Sequence, residues 1–225
     1  MRLRIAIFDL DGTLLDTLAD LANAMNRTLA RFGFPVHPVD AYRTFVGEGV
    51  ALLVERALPP GHRDTETREA ALRMYREDYG RHWNVATRPY PGIRPMLGEL
   101  DRRRFRLAVL SNKPDLFTRR CVDAMLPGVP FGCVLGQRGD LPRKPDPAGV
   151  KRILEVFGAP AAEAVMIGDS GTDMDTARAA GIPGIGVRWG FRSEDELRAH
   201  GAAALADRPA DLPELLDAWP AGRAG

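Results

Sequence analysis

Four separate stretches carry side chains that could do chemistry together: Asp9-x-Asp11-Gly12-Thr13, Ser111-Asn112-Lys113, Arg143-Lys144-Pro145-Asp146-Pro147 and Gly168-Asp169-Ser170-Gly171-Thr172-Asp173. Asp9, Asp11 and Asp169 offer hard oxygen ligands of the kind Mg²⁺ takes, leaving positions for water and phosphate oxygens. Gathered without a cation, three carboxylates would repel one another and hold their protons more tightly. Ser111, Asn112 and nearby loop amides can donate to phosphate oxygens, and Lys144 supplies the positive charge that a transferred phosphoryl group needs. Each stretch also has an ordinary reading. Asp9 and Asp11 could form an Asp/Gly turn, Ser111 and Asn112 a helix cap, Lys144 a solvated lysine, and Asp173 the acidic residue of a helix N-terminus.

The elements around these residues favour the chemical reading. Ile5 to Phe8 is an uncharged, β-prone run ending at Asp9, and similar runs at Arg106–Leu110 and Ala164–Ile167 end at Ser111 and Gly168. Further short strands are expected at Cys133–Leu135, Gly184–Val187 and Ala203–Ala206. Helical patterns alternate with them, near Ile93–Arg103, Leu116–Met125, Ala148–Phe157, Asp173–Ala180, Glu194–His200 and Leu212–Trp219. Such alternation predicts an α/β fold, a Rossmann-like parallel sheet covered by helices on both faces, because parallel neighbours need crossover connections. In such sheets ligands bind outside the carboxyl ends of the strands, where the four stretches fall.

Between Asp16 and Pro89 the pattern is helical and no strand is evident. Leu18, Leu21, Ala22, Met25, Leu29 and Phe32 share one face, with Asp16 or Thr17 as N-cap and Gly33 as stop. Further helices are expected at Val39–Thr44, Val50–Leu58 and Asp64–Trp83, the last burying Ala71, Met74, Tyr75, Tyr79 and Trp83. Pro89, Pro91 and Gly92 mark a hinge or linker. The first strand belongs with the later ones, so residues 16–89 read as an inserted helical domain, and residues 1–15 and 90–225 as the core. Gly47-Glu48-Gly49 reads as a flexible loop able to face the site, with Arg43 and Glu48 as weaker candidates for substrate contact. The Ala/Gly/Pro-rich tail after Trp219 is expected to fray.

With 225 residues, 45% hydrophobic and 27% charged, the chain has an ordinary globular composition, and a net charge of +1 gives no reason to expect nucleic acid or an anionic membrane as partner. Cys121 and Cys133 lack zinc-site spacing and read as reduced thiols of a cytoplasmic protein. Arginine strongly outnumbers lysine, so the few lysines stand out. Gly168-Asp169-Ser170-Gly171 has the letters of a serine-protease nucleophile stretch, but that chemistry sits on β-barrels, and Ser170 reads as a loop or capping residue.

In order, the four stretches resemble the motifs of the haloacid dehalogenase superfamily, and the helical insert resembles its cap, placed after the first strand. The resemblance implies an Mg²⁺-dependent phosphatase in which Asp9 is the nucleophile, forming an aspartyl-phosphate, and Asp11 the acid and base. Asp9, Asp169 and the backbone carbonyl of Asp11 would ligate the metal, Asp173 would orient metal waters or Lys144, and Thr13 would steady Asp9. Asp11 favours phosphoryl transfer, since the dehalogenases lack that second acid. Within the superfamily, Phe8–Thr17, Phe45–Val50, Val54–Pro59 and Ser111–Pro114 are most similar to bacterial phosphoglycolate phosphatases. That implies a small phosphorylated metabolite, 2-phosphoglycolate first, as the partner of a monomer or homodimer. A phosphosugar mutase and a non-catalytic phosphate-binding protein are the alternatives on the same scaffold.

Overall fold

In the computed structural model, which describes residues 3–219, six parallel strands stand in the order β5-β4-β1-β6-β7-β8. They are β1 (Ile5–Phe8), β4 (Arg106–Pro114), β5 (Phe131–Gln137), β6 (Ala164–Gly168), β7 (Gly184–Val187) and β8 (Ala204–Ala206). The period of two explains why both faces must be covered. Ala6, Phe8, Leu107, Val109, Val165 and Ile167 enter one core cluster, packed under α4 (Ile93–Arg102), α5 (Asp115–Met125) and α9 (Leu212–Asp217). Their neighbours Ile5, Ile7, Ala108, Leu110, Ala164 and Met166 enter the opposite cluster, under α6 (Ala148–Phe157) and α7 (Gly171–Ala180). A short α8 (Glu194–Ala199) follows β7.

Chain order runs outward from β1 to β4 and β5, then returns to β6 on the other side of β1. This reversal opens the crevice at the strands' carboxyl ends where α/β sheets bind ligands. Asp9 lies one residue past β1, whose pairs Phe8↔Val109 and Phe8↔Ile167 bring Leu110 of β4 and Gly168 at the end of β6 level with it.

The helical segment has a core of its own. Helices α1 (Leu18–Arg31), α2 (Val50–Ala57) and α3 (Thr65–His82), with a 3₁₀ turn at Val39–Thr44, enclose Leu21, Met25, Leu29, Tyr42, Leu53 and Val54. Burial of each aliphatic side chain here contributes about 1.5–3 kcal/mol. Asp64 caps α3 by accepting from the Thr67 amide at 2.9 Å. Asp20 ties the segment shut, accepting from the amides of Ala86 and Thr87 and from the Thr87 hydroxyl.

Two features depart from the sequence reading. A two-residue antiparallel ribbon, β2 (Leu15–Asp16) paired with β3 (Arg88–Pro89), joins the insert to the sheet where no strand was expected. Two residues per strand are too few to show a period. In addition, β4 does not end at Leu110 but continues through Ser111, Asn112 and Lys113 to Pro114, which pairs with Gln137. Polar residues end an apolar run without ending a strand when a neighbouring strand still accepts their backbone bonds. The tail after Trp219, expected to fray, lies outside the described residues.

Candidate active site

Where β1 and β6 end, three buried carboxylates meet. Asp9, Asp169 and Asp173 bring oxygen atoms within 4.8 Å of one another. Lys144 enters from the loop before α6, its Nζ 2.9 Å from Asp9 Oδ1 and 2.7 Å from Asp173 Oδ1, with only 2% of its side chain exposed. Asp173 fills both roles left open by the sequence: one oxygen holds Lys144, while the other accepts from the Ser170 amide and hydroxyl as part of a capping box on α7. Asp169 accepts from the Thr13 hydroxyl at 2.9 Å and the Phe191 amide at 2.8 Å. Gly12 makes this approach possible: φ is +86°, and a Cβ there would lie 2.3 Å from Asp169 Oδ2.

Charge in this cluster does not balance. Three carboxylates against one ammonium leave two negative charges unmatched, the charge of a divalent cation. Burial pushes Asp9 up to about 7, against the pull of Lys144 and with repulsion from Asp173 adding to it. Asp169 is pushed up to about 8 by burial and by its neighbours Asp173 and Asp9. Burial alone would depress Lys144, but Asp173 and Asp9 outweigh it and hold the ammonium well above its ordinary value. A surplus of hard oxygen donors with raised affinity for positive charge fits Mg²⁺. Asp9, Asp169 and Asp173 are the side chains that present it.

Above the cluster lies a cavity of about 610 Å³, counting its open mouth, between the sheet edge and the insert. Its floor includes Asp9, Asp11, Ser111, Asn112 and Lys113; its far wall includes Leu21, Val46, Leu53, Tyr75, Arg76 and Tyr79. Lys113 Nζ donates to both oxygens of Asp11, at 3.0 and 3.1 Å, and sits 4.9 Å from the centre of the Tyr79 ring. The Tyr79 ring stacks on Tyr75, and its buried hydroxyl has no hydrogen-bond partner.

The loop from Arg43 to Gly49 is fastened to the sheet edge by side chains that bond backbone. Asn112 Nδ2 donates to the Gly47 carbonyl, Arg143 Nη1 to Glu48 and Arg192 Nη2 to Val46, at 3.2, 3.0 and 3.0 Å. In the other direction Arg43 Nη1 donates to the Gly190 carbonyl at 3.0 Å. Gly49, at φ +95°, lets Arg143 pass where a Cβ would lie 2.8 Å from Nη1.

This arrangement matches known proteins over most of the chain. Residues 6–187 fit the family described as haloacid dehalogenase-like hydrolase. The chain belongs to that family. A phosphoglycolate phosphatase of Pseudomonas putida is 35% identical over 95% of this chain and 78% of its own length. One from Mesorhizobium japonicum is 34% identical over 95% of both chains. A crystal structure from Lactobacillus delbrueckii subsp. bulgaricus, named as a candidate phosphoglycolate phosphatase, superposes with a TM-score of 0.92 at 32% identity, covering 97% of this chain and all of the other.

Within this haloacid dehalogenase-like hydrolase, the expected site residues divide by what they touch. Asp9, Asp11, Ser111 and Asn112 line the cavity, while Lys144 and Asp169 stand in the carboxylate cluster behind it. Thr13 donates to Asp169, and it is buried and not among the cavity's lining residues. Asn112 spends its amide on the Lys144 backbone, accepting from the Lys144 amide and donating to the Lys144 carbonyl, besides Gly47. Ser111 keeps its hydroxyl proton free for a ligand, since its oxygen only accepts, from the Lys113 amide. Glu48 pairs with Arg56 and is not among the cavity's lining residues. Lys113 and Arg143 fall within the expected stretches but were given no role there, and Arg192 lies outside them. Lys113 stands beside Ser111 and Asn112 and could have been given one, but nothing local marks the two arginines in a chain so rich in them.

The long helix of the insert, α3, has mean polarity too high to cross a membrane, and no helix among the described residues is long and apolar enough to do so.

Proposed function

We propose that this hydrolase is an Mg²⁺-dependent phosphatase that cleaves a small phosphomonoester, 2-phosphoglycolate, through an aspartyl-phosphate on Asp9, with the insert serving as its cap. The observation that carries the proposal is the placement of Asp9 at the end of the central strand, held by Lys144 and open to the cavity. The names of the relatives support the choice of substrate.

In the first half-reaction an Asp9 carboxylate oxygen attacks phosphorus, the bond from phosphorus to the substrate oxygen breaks, and Asp11 gives that oxygen its proton. In the second, Asp11 takes a proton from water as the water attacks phosphorus, and phosphate leaves with Asp9 restored. Lys113, bonded to both oxygens of Asp11, orients that carboxyl toward the cavity. Ser111 donates to a phosphoryl oxygen, and Lys144 offsets the charge gathering around Asp9. Held by Asp9, Asp169 and the backbone carbonyl of Asp11, with Asp173 beside it, Mg²⁺ would supply neutralisation of the phosphoryl oxygens. The apolar wall excludes bulk water from the reacting atoms.

The test is phosphate release from 2-phosphoglycolate with Mg²⁺, comparing the native protein with Asp9→Asn. Loss of the nucleophile should lower turnover by about ten-thousandfold or more. The folded state should survive, because one of three crowded carboxylates has been neutralised, and thermal denaturation checks this. Retention of most of the turnover by the variant would falsify the aspartyl-phosphate route.

A further inference from the structure

The cavity's two sides differ in what they offer a substrate. The floor carries the groups that meet a phosphoryl group, but a phosphomonoester also has a leaving group, and that part must face the insert. There the lining side chains are aliphatic or aromatic, among them Val46, Leu53, Tyr75 and Tyr79, and no amide or aliphatic hydroxyl side chain of the insert lines the cavity. One charge interrupts this wall. Arg76 lies next to Tyr75 and one helical turn before Tyr79 on α3, it lines the cavity, and it is exposed at its mouth.

Arg76 makes no hydrogen bond or ion pair with the described residues. Other arginines of the insert that carry an ion pair spend it on a neighbouring acid, as Arg27 does on Asp78, Arg68 on Glu55 and Arg81 on Glu77. An exposed arginine without an ion pair, lining a cavity whose floor carries Asp9 and Asp11 and whose wall is otherwise apolar, is suited to one kind of leaving group. It should be short enough to fit under the wall, poor in hydroxyls, and negatively charged at its far end. A carboxylate there stands beyond an apolar wall and the acids Asp9 and Asp11, and Arg76 is the cation that the insert adds to the lining to pair with it. A planar guanidinium matches a carboxylate through two parallel N–H···O bonds.

We infer that Arg76 is a specificity-determining residue, binding the carboxylate of the leaving group in a phosphorylated short-chain hydroxy acid. The inference rests on the phosphatase reading and assigns the selection among substrates to one side chain of the insert. Because Arg76 is partly in solvent, its contribution is that of a screened charge-assisted contact, about tenfold to a hundredfold in kcat/KM.

The experiment uses two substrates differing at one end, 2-phosphoglycolate and 2-hydroxyethyl phosphate, with Mg²⁺ and the full chain. The native enzyme should prefer the carboxylate substrate by at least about tenfold. Arg76→Leu should abolish that preference by raising KM for 2-phosphoglycolate, while its kcat and the rate on 2-hydroxyethyl phosphate stay within about twofold. Arg76→Lys should recover part of the preference, since it restores the charge without the fork. Equal loss on both substrates would make Arg76 structural and overturn the inference, as would a variant that keeps the native preference. A native enzyme that hydrolyses both substrates equally overturns the inference and leaves the phosphatase reading standing; one that hydrolyses no phosphomonoester overturns both.

Discussion

Behind the floor of the cavity Lys144 pairs with Asp9 and Asp173, whereas Arg76, the charge that the helical wall adds to the lining, makes no ion pair. Asp9 stands just past the end of a strand paired on both sides, while Lys144 comes from the loop before α6 and Asp173 from the first turn of α7. Wall residues stand on helices joined to the sheet by a two-residue ribbon and by side chains that reach backbone carbonyls. In the proposed mechanism the tasks are separate: the reacting groups stand on the more constrained backbone, and the group proposed to select substrates stands on a segment with a core of its own. Lys113 bridges the two, pairing with a floor acid while its ammonium rests on a wall tyrosine.

The two buried lysines allow that comparison to be tested most strongly. Replacing Lys144 by Met should cost about 3–5 kcal/mol, since it strands Asp9 and Asp173 with no counter-charge. Replacing Lys113 by Met should cost less, about 1–3 kcal/mol, because Asp11 is less buried than Asp173 and can turn to water. Urea denaturation of both variants at pH 8 measures the difference. Equal costs would mean that the buried carboxylate cluster depends on its lysine no more than the less buried Asp11 does.

A second test uses pH and metal. Asp9 and Asp169 have folded-state values raised to about 7 and 8 from 3.8. Carboxyls that hold protons more tightly when folded favour the folded state below about pH 4, and that contribution is lost as pH rises through 7 and 8. The metal-free protein should therefore lose stability between about pH 4 and 8. Mg²⁺ must displace protons at low pH but meets free carboxylates at high pH, so its stabilising effect should grow with pH. Melting temperatures in EDTA and in Mg²⁺ at pH 5.5 and 8 measure this; an increment as large at pH 5.5 as at pH 8 would remove the charge argument for the cluster.

The smallest effect is expected from the fastening of the loop. Arg143→Ala and Arg192→Ala each remove one charge-assisted bond to a backbone carbonyl, worth about 1 kcal/mol near the surface. If the loop must be fastened for the insert to cover a substrate, KM should rise about twofold to fivefold and kcat should change little. Steady-state kinetics decide it. A fall in kcat at constant KM would assign the arginines to the chemical step instead.

Much of the floor was legible in advance because its groups are local to strand ends. Ile5 to Phe8 is apolar without interruption, and Asp9 follows it; the same holds at Ile167 and Asp169. What each group bonds to was less accessible. Thr13 lies four residues from Asp9 and was assigned to it, yet its hydroxyl meets Asp169, brought beside it by the pairing of β1 with β6. The continuation of β4 through Lys113 was hidden because a polar run carries no burial signal, even where an adjacent strand extends the ladder. Tyr75 and Tyr79 were expected on the buried side of α3, and they are buried, but as the wall of a cavity rather than in the interior of the insert alone.

By itself, then, the amino-acid order determined the alternation of strands and helices, the helical run after the first strand, and the acids that follow β1 and β6, since all of these follow from local periodicity and from residue type. Only the tertiary structure decided that Asp173 serves a helix cap and a lysine at once, that Asn112 binds backbone, and that Arg143 and Arg192 fasten a loop far away in the chain. The cap with Ser170 aside, those contacts join residues between 29 and 146 positions apart. No local pattern encodes such pairs; the closing of the sheet and the docking of the insert bring them together.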